Sequence, residues 1–569
     1  MSMPAALRAS LNSAPEKGRS VCTFCRMGCE LEVIRQGWRV AGVEYPADAP
    51  VNQGRLCPRG SASALLLDHP RRLAYPLRDG KERTWPEFFS EVGPRLRNLP
   101  SNELAITYDG NLTREELGVV YGFANRLGTE NVASAYLESE ACFALKLDVK
   151  DGSGALATLA DVQQADTILV VGDAFAKMPV LAKPVLDARY AGRERRLYCI
   201  DSVKTVAAGF SHRAPRVKPG TESLALLALA GLVDSRLKGF DCESAAAACG
   251  ISPADLREIA AGFGKPKRGV VIAAIHSGRT ADPALFSLAL QLLVSRMKGN
   301  KRLLMAAEAA VPPGPRRFSE ILGAIESREV KTLVNFGGSL PWDDPGISEP
   351  LKKLDLLVAM ATMKPEHSTP GWVLPVPMNL EKAGTVDTVW GTERLQPAVS
   401  PASGVRAVPE IVDGLLDERV EPDDVPELPD VLRIATKTVT DLGRAMLKSG
   451  VRSQGAGVPE PQDSHPFLLQ AEQPAYDFRG IFSQVAHPVL MARADAQRLG
   501  VVNGDRVMLG TRAGTKLELA VACSDRAADG TLLVNAARPE VRALFVSEVD
   551  KLAGIVTIPP VRARVWRSE

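Results

Sequence analysis

Four cysteines near the N-terminus have the residue type and spacing of metal ligands. Cys22, Cys25 and Cys29 fall within eight positions in "VCTFCRMGC", and Cys57 follows in "GRLCPRG", so that the pattern reads C-x2-C-x3-C-x27-C. A close-set triplet can wrap one loop around three corners of an iron–sulfur cube, and a remote fourth cysteine closes the last corner. Gly28 gives backbone freedom where the chain must turn tightly. The pattern favours a 4Fe–4S cluster.

Other interpretations of these cysteines stay open. Structural zinc usually uses two paired knuckles, and one half of this motif lacks such a partner. A redox CxxC would require neither Cys29 nor Cys57, and unrelated buried cysteines would require no fixed spacing. Nine cysteines in 569 residues are too few for a disulfide scaffold. No export signal is recognisable at the start, so the sequence predicts a cytoplasmic protein, in which clustered thiols bind metal.

Apolar strands separated by helix-length segments recur along the chain. The clearest example is "ADTILVVGDAFAKMPVLAKPVLDARYAGRERRLYCIDS". It predicts a buried strand at 168–171, a loop that opens at Gly172, a helix, and a second strand at 197–200 that ends at Asp201. Strands this apolar and this spaced indicate parallel sheets covered by helices on both faces.

The predicted fold class is α/β and multidomain, with a small N-terminal iron–sulfur domain, two doubly wound parallel-sheet domains and a C-terminal β-barrel domain. Capping boxes at Thr84–Glu87 and Thr113–Glu116 predict the starts of two helices. Short alternating strands with N-G and A-G turns near the C-terminus indicate the barrel. The predicted boundaries are 15–75 for the iron–sulfur domain, 76–420 for the α/β domains with about 111–330 as one lobe, 421–475 for a proline- and acid-rich linker, and 476–569 for the barrel.

Composition and motifs exclude several function classes. The net charge is +2, from 69 basic and 67 acidic residues, which gives no global attraction to nucleic acid. No apolar run approaches the roughly 20 residues that a membrane-spanning helix needs, so we expect no direct membrane span. No HExxH, Walker A or Ser–His–Asp pattern offers another route to catalysis.

The cysteine motif and the blocks that follow it resemble molybdopterin oxidoreductases, the superfamily of formate dehydrogenase, dimethyl sulfoxide reductase and periplasmic nitrate reductase. "GRLCPRG" and "LLLDHPRRLAYPL" resemble the N-terminal domain of that superfamily. "ADTILVVGDAFAKMPVL" resembles the strand and loop that hold one dinucleotide arm, and "RLYCIDS" the strand whose terminal acid meets a guanosine. "RVKPGTESLALLALAGLV", "LPVPMNLEKAGTVDTVWGTERLQ" and "ADAQRLGVVNGDRVML" resemble later family blocks, in the family's order.

This resemblance implies a 4Fe–4S cluster and a Mo/W-bis(molybdopterin guanine dinucleotide). On the spacing alone, a doubly wound domain without a dinucleotide remains an alternative, as do a plain helix start at "PGTES" and surface positions in "EKAGT". The cofactor-binding residues that the resemblance implies are Gly172, Asp173, Asp201, Gly220, Thr221, Glu222, Lys382 and Thr385.

The metal ligand is the point at which the chain departs from the family pattern. Active members carry it just before a G-x-G turn, here at 152–154, which places the ligand near Ser139. The Cys–His pair of formate dehydrogenases is missing, and Cys142 is an alternative ligand or plain core. Arg59 stands where many members have a lysine between cluster and pterin, and His367 falls where the family approaches the cofactor.

Two functions follow from the resemblance. The first is a molybdopterin-dependent oxidoreductase of the formate dehydrogenase type, which acts on a small molecule and passes electrons through the cluster. The second is a relay or scaffold subunit without molybdenum, like the large peripheral-arm subunit of respiratory complex I. Because one cluster cannot carry electrons far, either function predicts a redox partner subunit with iron–sulfur clusters or a flavin and NADH site.

Overall fold

The structure is a computed structural model in which the chain forms two compact units. It describes residues 15–36, 39–148, 156–234, 240–264, 268–297, 299–309, 312, 314–337, 344–365, 370–425, 432–448, 464–472 and 487–568. Unit 1 contains Met1–Tyr136, Glu308–Leu340 and Glu349–Pro429, and unit 2 contains Leu137–Ala307, Pro341–Ser348 and Asp430–Glu569. The domain boundaries drawn from the sequence stay a prediction.

Unit 1 contains a small antiparallel sheet next to the cysteine loop and a larger, mostly parallel sheet. The small sheet has the strands Glu16–Val21, Glu30–Gln36 and Arg39–Glu44. A separate hairpin consists of Gly384–Thr388 and Gly391–Leu395. The larger sheet has, in spatial order, the strands Lys81–Glu82, Leu77–Arg78, Trp372–Pro375, Leu356–Ala361, Thr332–Phe336, Leu104–Tyr108 and Val132–Ser134.

Three helices of unit 1 share one apolar core with the larger sheet, namely Trp85–Arg97, Arg114–Leu127 and Val408–Leu416. Thr84 and Thr113 accept from Glu87 N and Glu116 N in complete capping boxes, so both predicted helix starts are confirmed. Phe88, Phe123 and Phe336 belong to one buried core cluster. The α-helices within unit 1 are Pro58–Ala62, Trp85–Arg97, Arg114–Leu127, Phe318–Glu326 and Val408–Leu416, and its 3-10 turns are Ser63–Leu66, Ser101–Glu103 and Asn379–Glu381. The helix Pro345–Leu351 spans a boundary between the units.

Unit 2 is built on a parallel sheet with the spatial strand order Arg196–Ile200, Thr167–Val171, Arg268–Ala274 and Asn300–Ala306. Every residue of the strand Thr167–Val171 is buried, as expected for a sheet covered on both faces. The chain order reverses on either side of this strand, and such switch points form ligand crevices at the carboxyl ends of the strands. The helical segments of unit 2 are Leu137–Ser139, Glu140–Ala144 (a π-helix), Leu159–Gln163, Ala174–Lys177, Pro179–Leu181, Ala182–Tyr190, Ala207–Phe210, Glu222–Val233, Cys242–Cys249, Pro253–Gly264, Pro283–Arg296, Thr436–Lys448, Arg493–Leu499 and Pro539–Arg542.

The C-terminal part of unit 2 forms a closed β-barrel around its own apolar core. Val507, Leu509, Leu519 and Val521 alternate inward along two neighbouring strands, so one face of each strand fills the barrel. The barrel strands, in spatial order, are Phe467–Glu472, Thr531–Asn535, Val489–Met491, Lys516–Cys523, Arg506–Thr511 and Val561–Arg567. The remaining strand pairs of unit 2 are Leu432–Ala435 with Leu145–Asp148 and Glu548–Val549 with Val556–Thr557.

Part of the predicted linker 421–475 is folded. The strand Leu432–Ala435 and the helix Thr436–Lys448 bring Ile434, Val439 and Met446 into the apolar core of unit 2. An amphipathic helix of this kind is stabilised by tertiary packing. The acidic and proline-rich segments on either side of it led the sequence analysis to predict a linker. The predicted fold class, with its parallel sheets and closed barrel, is confirmed. Within the described ranges, no helix combines the length and the apolar character that crossing a membrane requires.

Candidate functional site

The first three cysteines lie on one closed loop between two paired strands. Val21 pairs with Glu30 at the end of the strand ladder, and Cys22 N donates a 2.7 Å hydrogen bond to Cys29 O. Gly28 has φ +71°, which is the left-handed turn that its position before Cys29 suggested. The loop is therefore fixed at both ends by backbone pairing.

Cys57 approaches the same place from the start of the short helix Pro58–Ala62. It is the N-cap of that helix, and its Sγ accepts a 3.4 Å hydrogen bond from Gly60 N. A Cβ added at Gly60 would lie 3.7 Å from Cys22 Sγ, so the two cysteines meet across this turn. A thiolate at a helix N-cap is stabilised by the free backbone N–H groups.

The electrostatics of the four thiols connect them to one another. Burial raises the pKa of Cys22, and the neighbouring Cys25 and Cys57 thiols raise it further. Burial raises the pKa of Cys29 as well, with the other three cysteines adding to it, and burial raises the pKa of Cys25 to about 11. Thiols in such surroundings ionise only when a cation stabilises the thiolate. The iron of an iron–sulfur cluster supplies that positive charge.

A hairpin from a distant part of the sequence supports the cysteine loop. Trp390 Nε1 donates to Met27 O at 3.0 Å, and Val389 N donates to Arg26 O at 2.8 Å. The "EKAGTVDTVWGTERLQ" block thus contacts the loop that carries Cys22, Cys25 and Cys29. Across the described ranges, no three His, Cys, Asp or Glu side chains are close enough to hold a single metal ion.

Arg59 lies beside the cysteines with its side chain fully buried. Its Nη1 is 2.7 Å from Glu308 Oε1, and the Glu308 side chain is 14% exposed. The Arg59 guanidinium opposes the rise in the pKa of Cys25, whereas Glu308 adds to that rise. Both charges therefore act on the thiol group of the candidate cluster.

The carboxylates predicted in unit 2 converge at the switch point of its parallel sheet. Asp173 follows the strand Thr167–Val171 and Asp201 follows the strand Arg196–Ile200. Arg279, which follows the third strand, forms an ion pair with Asp201, and its Nη1 is 3.8 Å from Asp173 Oδ2. The structure thus brings together two predicted residues and adds a buried cation between them.

Glu222 joins this group from the start of the buried helix Glu222–Val233. Burial raises its pKa to about 7, and the nearby Asp201 carboxylate raises it further, while Ser202 and Arg279 oppose this rise. Burial likewise raises the pKa of Asp173. The Thr221 hydroxyl donates to Lys218 O at 2.7 Å and Gly220 has φ +81°, so the "PGT" residues form the turn that positions Glu222.

The barrel contributes one further ion pair to the same unit. Arg526 Nη1 is 2.9 Å from Glu472 Oε2, and Arg526 Nη2 is 3.9 Å from Asp173 Oδ2. Burial raises the pKa of Glu472. Four carboxyl groups, those of Asp173, Asp201, Glu222 and Glu472, therefore share the guanidinium groups of Arg279 and Arg526.

Two observations test whether a nucleotide fits this crevice. Among the described residues, the buried Asp201 Oδ2, His276 Nε2 and Gln470 Oε1 have no hydrogen-bond partner, although buried polar atoms rarely remain unpaired. Gly172 has φ +77°, and a Cβ there would lie 2.5 Å from Ala274 O, so the turn at the strand end requires glycine. The unpaired atoms fit a polar ligand, whereas the glycine is explained by the close approach of Ala274 within the sheet.

Lys382 and Thr385 lie at the corresponding edge of the sheet in unit 1. Lys382 Nζ is 2.6 Å from Glu116 Oε2 and donates to Asn111 O at 2.7 Å, just beyond the strand Leu104–Tyr108. The Thr385 hydroxyl donates to Glu115 Oε1 at 2.7 Å. Both side chains hold the start of the helix Arg114–Leu127, which is the structural role they have without a ligand.

The predicted metal-ligand segment contains a buried ion pair that the sequence did not indicate. Both carboxylate oxygens of Glu138 lie 2.8 Å from Lys177 Nζ, and Ser277 N donates to Glu138 Oε1 at 3.2 Å. Cys142 packs against the apolar core of unit 2 from the π-helix Glu140–Ala144. The Ser139 side chain, the G-x-G residues 152–154 and His367 lie outside the described residues.

Several polar residues of these sites were missed from the sequence. Arg279 and His276 follow the strand Arg268–Ala274, and the rule that ligands lie beyond parallel strand ends would have indicated them. No local signal marks Glu308, Glu472 or Arg526, because each meets its partner only through the tertiary fold.

Comparisons with known proteins match both ends of the chain to cofactor domains. Residues 16–69 match the molybdopterin oxidoreductase Fe4S4 domain, and residues 479–559 match the Molydopterin dinucleotide binding domain. Acetylene hydratase from Pelobacter acetylenicus shares the fold with a TM-score of 0.71 and 13% identity, over 97% of this chain and 100% of that chain.

Curated relatives are similar at low identity. The F420-dependent formate dehydrogenase subunit alpha of Methanocaldococcus jannaschii is 24% identical, over 44% of this chain and 41% of that protein. The NADPH-Fe(3+) oxidoreductase subunit alpha of Geobacter sulfurreducens is 26% identical over 68% and 54%. The nitrate reductase of Klebsiella oxytoca is 26% identical over 36% and 24%. The chain thus spans about half or less of the length of these relatives.

The cysteine loop beside the small N-terminal sheet and most of the closed C-terminal barrel lie in the two segments that match the iron–sulfur and dinucleotide-binding domains. Two segments of the chain, 16–69 and 479–559, are thus similar to domains of molybdopterin oxidoreductases. The predicted cofactors, a 4Fe–4S cluster and a Mo/W-bis(molybdopterin guanine dinucleotide), are confirmed by these two domains. Members of this family are enzymes.

Proposed function

We propose that this chain is a formate dehydrogenase-like oxidoreductase subunit that passes electrons between a pterin-bound Mo or W and a redox partner through one 4Fe–4S cluster. The observation that carries the proposal is the presence in one chain of four neighbouring cysteines, three of them buried, and a crevice with unpaired buried polar atoms. When bound, the metal–pterin group supplies two-electron chemistry on a small-molecule substrate.

The cluster ligands in this proposal are Cys22, Cys25, Cys29 and Cys57. Burial excludes water from three of the thiols, and the hydrogen bond from Gly60 N fixes the Sγ atom of Cys57. Arg59 is the proposed link between cluster and pterin. It keeps a positive charge beside the thiolates but cannot release a proton, so it assists electron transfer without acting as an acid.

The crevice of unit 2 is the proposed site of one guanosine. Four carboxyl groups face two guanidinium groups there, so a ligand that presents N–H and O–H donors is favoured over a bare phosphate. A guanine edge and ribose hydroxyls are such donors. Gly172 forms the turn between the strand and Asp173, and Gly220 and Thr221 hold Glu222 in position. Lys382 and Thr385 are proposed for the other dinucleotide, at the switch point of unit 1.

The metal ligand in this proposal is Ser139, with Cys142 as the alternative. A second function, that of a relay subunit without molybdenum, is favoured by the surroundings of these positions. Cys142 packs against an apolar core. The nearby Glu138 carboxylate already accepts hydrogen bonds from Lys177 Nζ and Ser277 N. A small-molecule substrate belongs only to the first function, whereas an iron–sulfur or flavin/NADH-binding partner belongs to both.

Analysis of the anaerobically purified protein separates the two functions. Stoichiometric Mo or W together with GMP released by acid hydrolysis supports the enzyme, as does formate-dependent reduction of a viologen dye. Iron without Mo, W or GMP supports the relay. A Ser139→Ala variant that keeps its full Mo or W content and unchanged metal spectra would contradict Ser139 as the ligand.

A further inference from the structure

Arg59, two residues after Cys57, forms an ion pair with Glu308, and the proposed function gives Glu308 no role. The two residues are 249 positions apart in the sequence, and both belong to unit 1. Glu308 is the first residue of unit 1 after the chain returns from unit 2. The Arg59 side chain has no exposure, so its charge is screened only weakly.

Arg59 is held in place from both ends. Its backbone lies in the first turn of the helix that begins after Cys57, next to the hydrogen bond between Gly60 N and Cys57 Sγ. Its guanidinium contacts the Glu308 carboxylate at 2.7 Å. The orientation of the cation relative to the thiols therefore depends on Glu308.

The two charges act on the thiols in opposite directions. Arg59 is a fully buried cation two residues after Cys57, and Glu308 is an anion whose Oε1 lies 2.7 Å from Arg59 Nη1, so charges of opposite sign stand beside the cysteines. One-electron reduction of a 4Fe–4S cluster adds one negative charge to the cluster and its thiolates. A cation nearby favours that reduced state and an anion disfavours it, by the same Coulomb interaction.

We propose that Glu308 lowers the reduction potential of the cluster by offsetting the charge that Arg59 places beside the cysteines. This inference rests on the proposed cluster, and it goes beyond it by assigning the potential to a residue outside the cysteine motif. The pair thus adjusts how readily the cluster accepts an electron.

The test is a reductive titration with dithionite, which supplies the electron, followed by electron paramagnetic resonance of the reduced cluster. Glu308→Gln keeps the side-chain shape and removes the anion, and it is expected to shift the midpoint potential upward. Arg59→Gln is expected to shift it downward. Glu103→Gln is the matched control, since Glu103 pairs with Lys331 elsewhere in unit 1, and no shift is expected.

A second comparison remains informative if Glu308→Gln fails to fold because a buried guanidinium is left without its anion. The double variant Arg59→Gln/Glu308→Gln buries no lone charge, and it must have a higher potential than Arg59→Gln alone. An unchanged or lower potential in either comparison, with iron content and signal intact, overturns the inference. Loss of iron from the unmodified protein would instead overturn the proposed cluster.

Discussion

Glu222 makes the stability of unit 2 depend on pH in a way that one substitution removes. Its pKa rises from the ordinary value of 4.5 to about 7, chiefly because the carboxyl is buried, and secondarily because Asp201 lies nearby. Arg279 and Ser202 face it with the opposite effect. At roughly 1.4 kcal/mol per pH unit, this rise corresponds to about 3 kcal/mol.

The direction follows from proton binding. Below pH 4.5 the carboxyl is protonated in the folded and the unfolded chain, so it adds no pH dependence to the free energy of unfolding. Between pH 4.5 and about 7 the unfolded chain loses the proton while the folded chain keeps it, so the free energy of unfolding falls as pH rises. Above about pH 7 the carboxyl is ionised in both states, and the free energy of unfolding has fallen by about 3 kcal/mol in total.

Glu222→Gln has no such titration, so its free energy of unfolding relative to the unmodified chain should improve by about 3 kcal/mol between pH 4 and pH 8. Hydrogen exchange of the peptides from the helix Glu222–Val233, in the absence of nucleotide, measures this difference. Glu243→Gln is the control, because Glu243 is an exposed first-turn acid of the next helix. Equal pH dependence in Glu222→Gln and the unmodified chain would refute the reasoning.

Three further changes test other contacts. Cys57→Ser should reduce the iron content and abolish the signal of the reduced cluster, measured by iron analysis and electron paramagnetic resonance, because one corner ligand is removed. Lys177→Met should lower the free energy of unfolding by about 3–5 kcal/mol in urea, because the Glu138 carboxylate stays buried without its cation; no loss would contradict that burial. Gly172→Ala should lower the free energy of unfolding by about 1–3 kcal/mol, because the added Cβ would strain the left-handed backbone and contact Ala274 O. An unchanged free energy of unfolding would contradict the close approach.

The elements that form from short stretches of sequence could be predicted from local patterns and from the order of the motifs. The capping boxes at Thr84 and Thr113, the buried strand at 168–171 and the barrel all follow from patterns within about a dozen residues. The cysteine loop was also predictable, because its spacing and Gly28 determine how the chain turns.

The charges around the sites were not predictable, because their partners lie far apart in the chain. Glu308 reaches Arg59, and Arg526 reaches Asp173, only after the sheets and the barrel have assembled. The helix Thr436–Lys448 was hidden in a predicted linker, because its burial depends on the core of unit 2. Local patterns encode an element and its direction, whereas the tertiary fold decides which charges meet.

The most direct test of the central claim is the metal content and spectrum of anaerobically purified protein. The four cysteine ligands predict about four iron and four acid-labile sulfide per chain, with a paramagnetic signal that appears on reduction by dithionite. Colourless protein that contains zinc or no metal at Cys22, Cys25, Cys29 and Cys57 would contradict the claim.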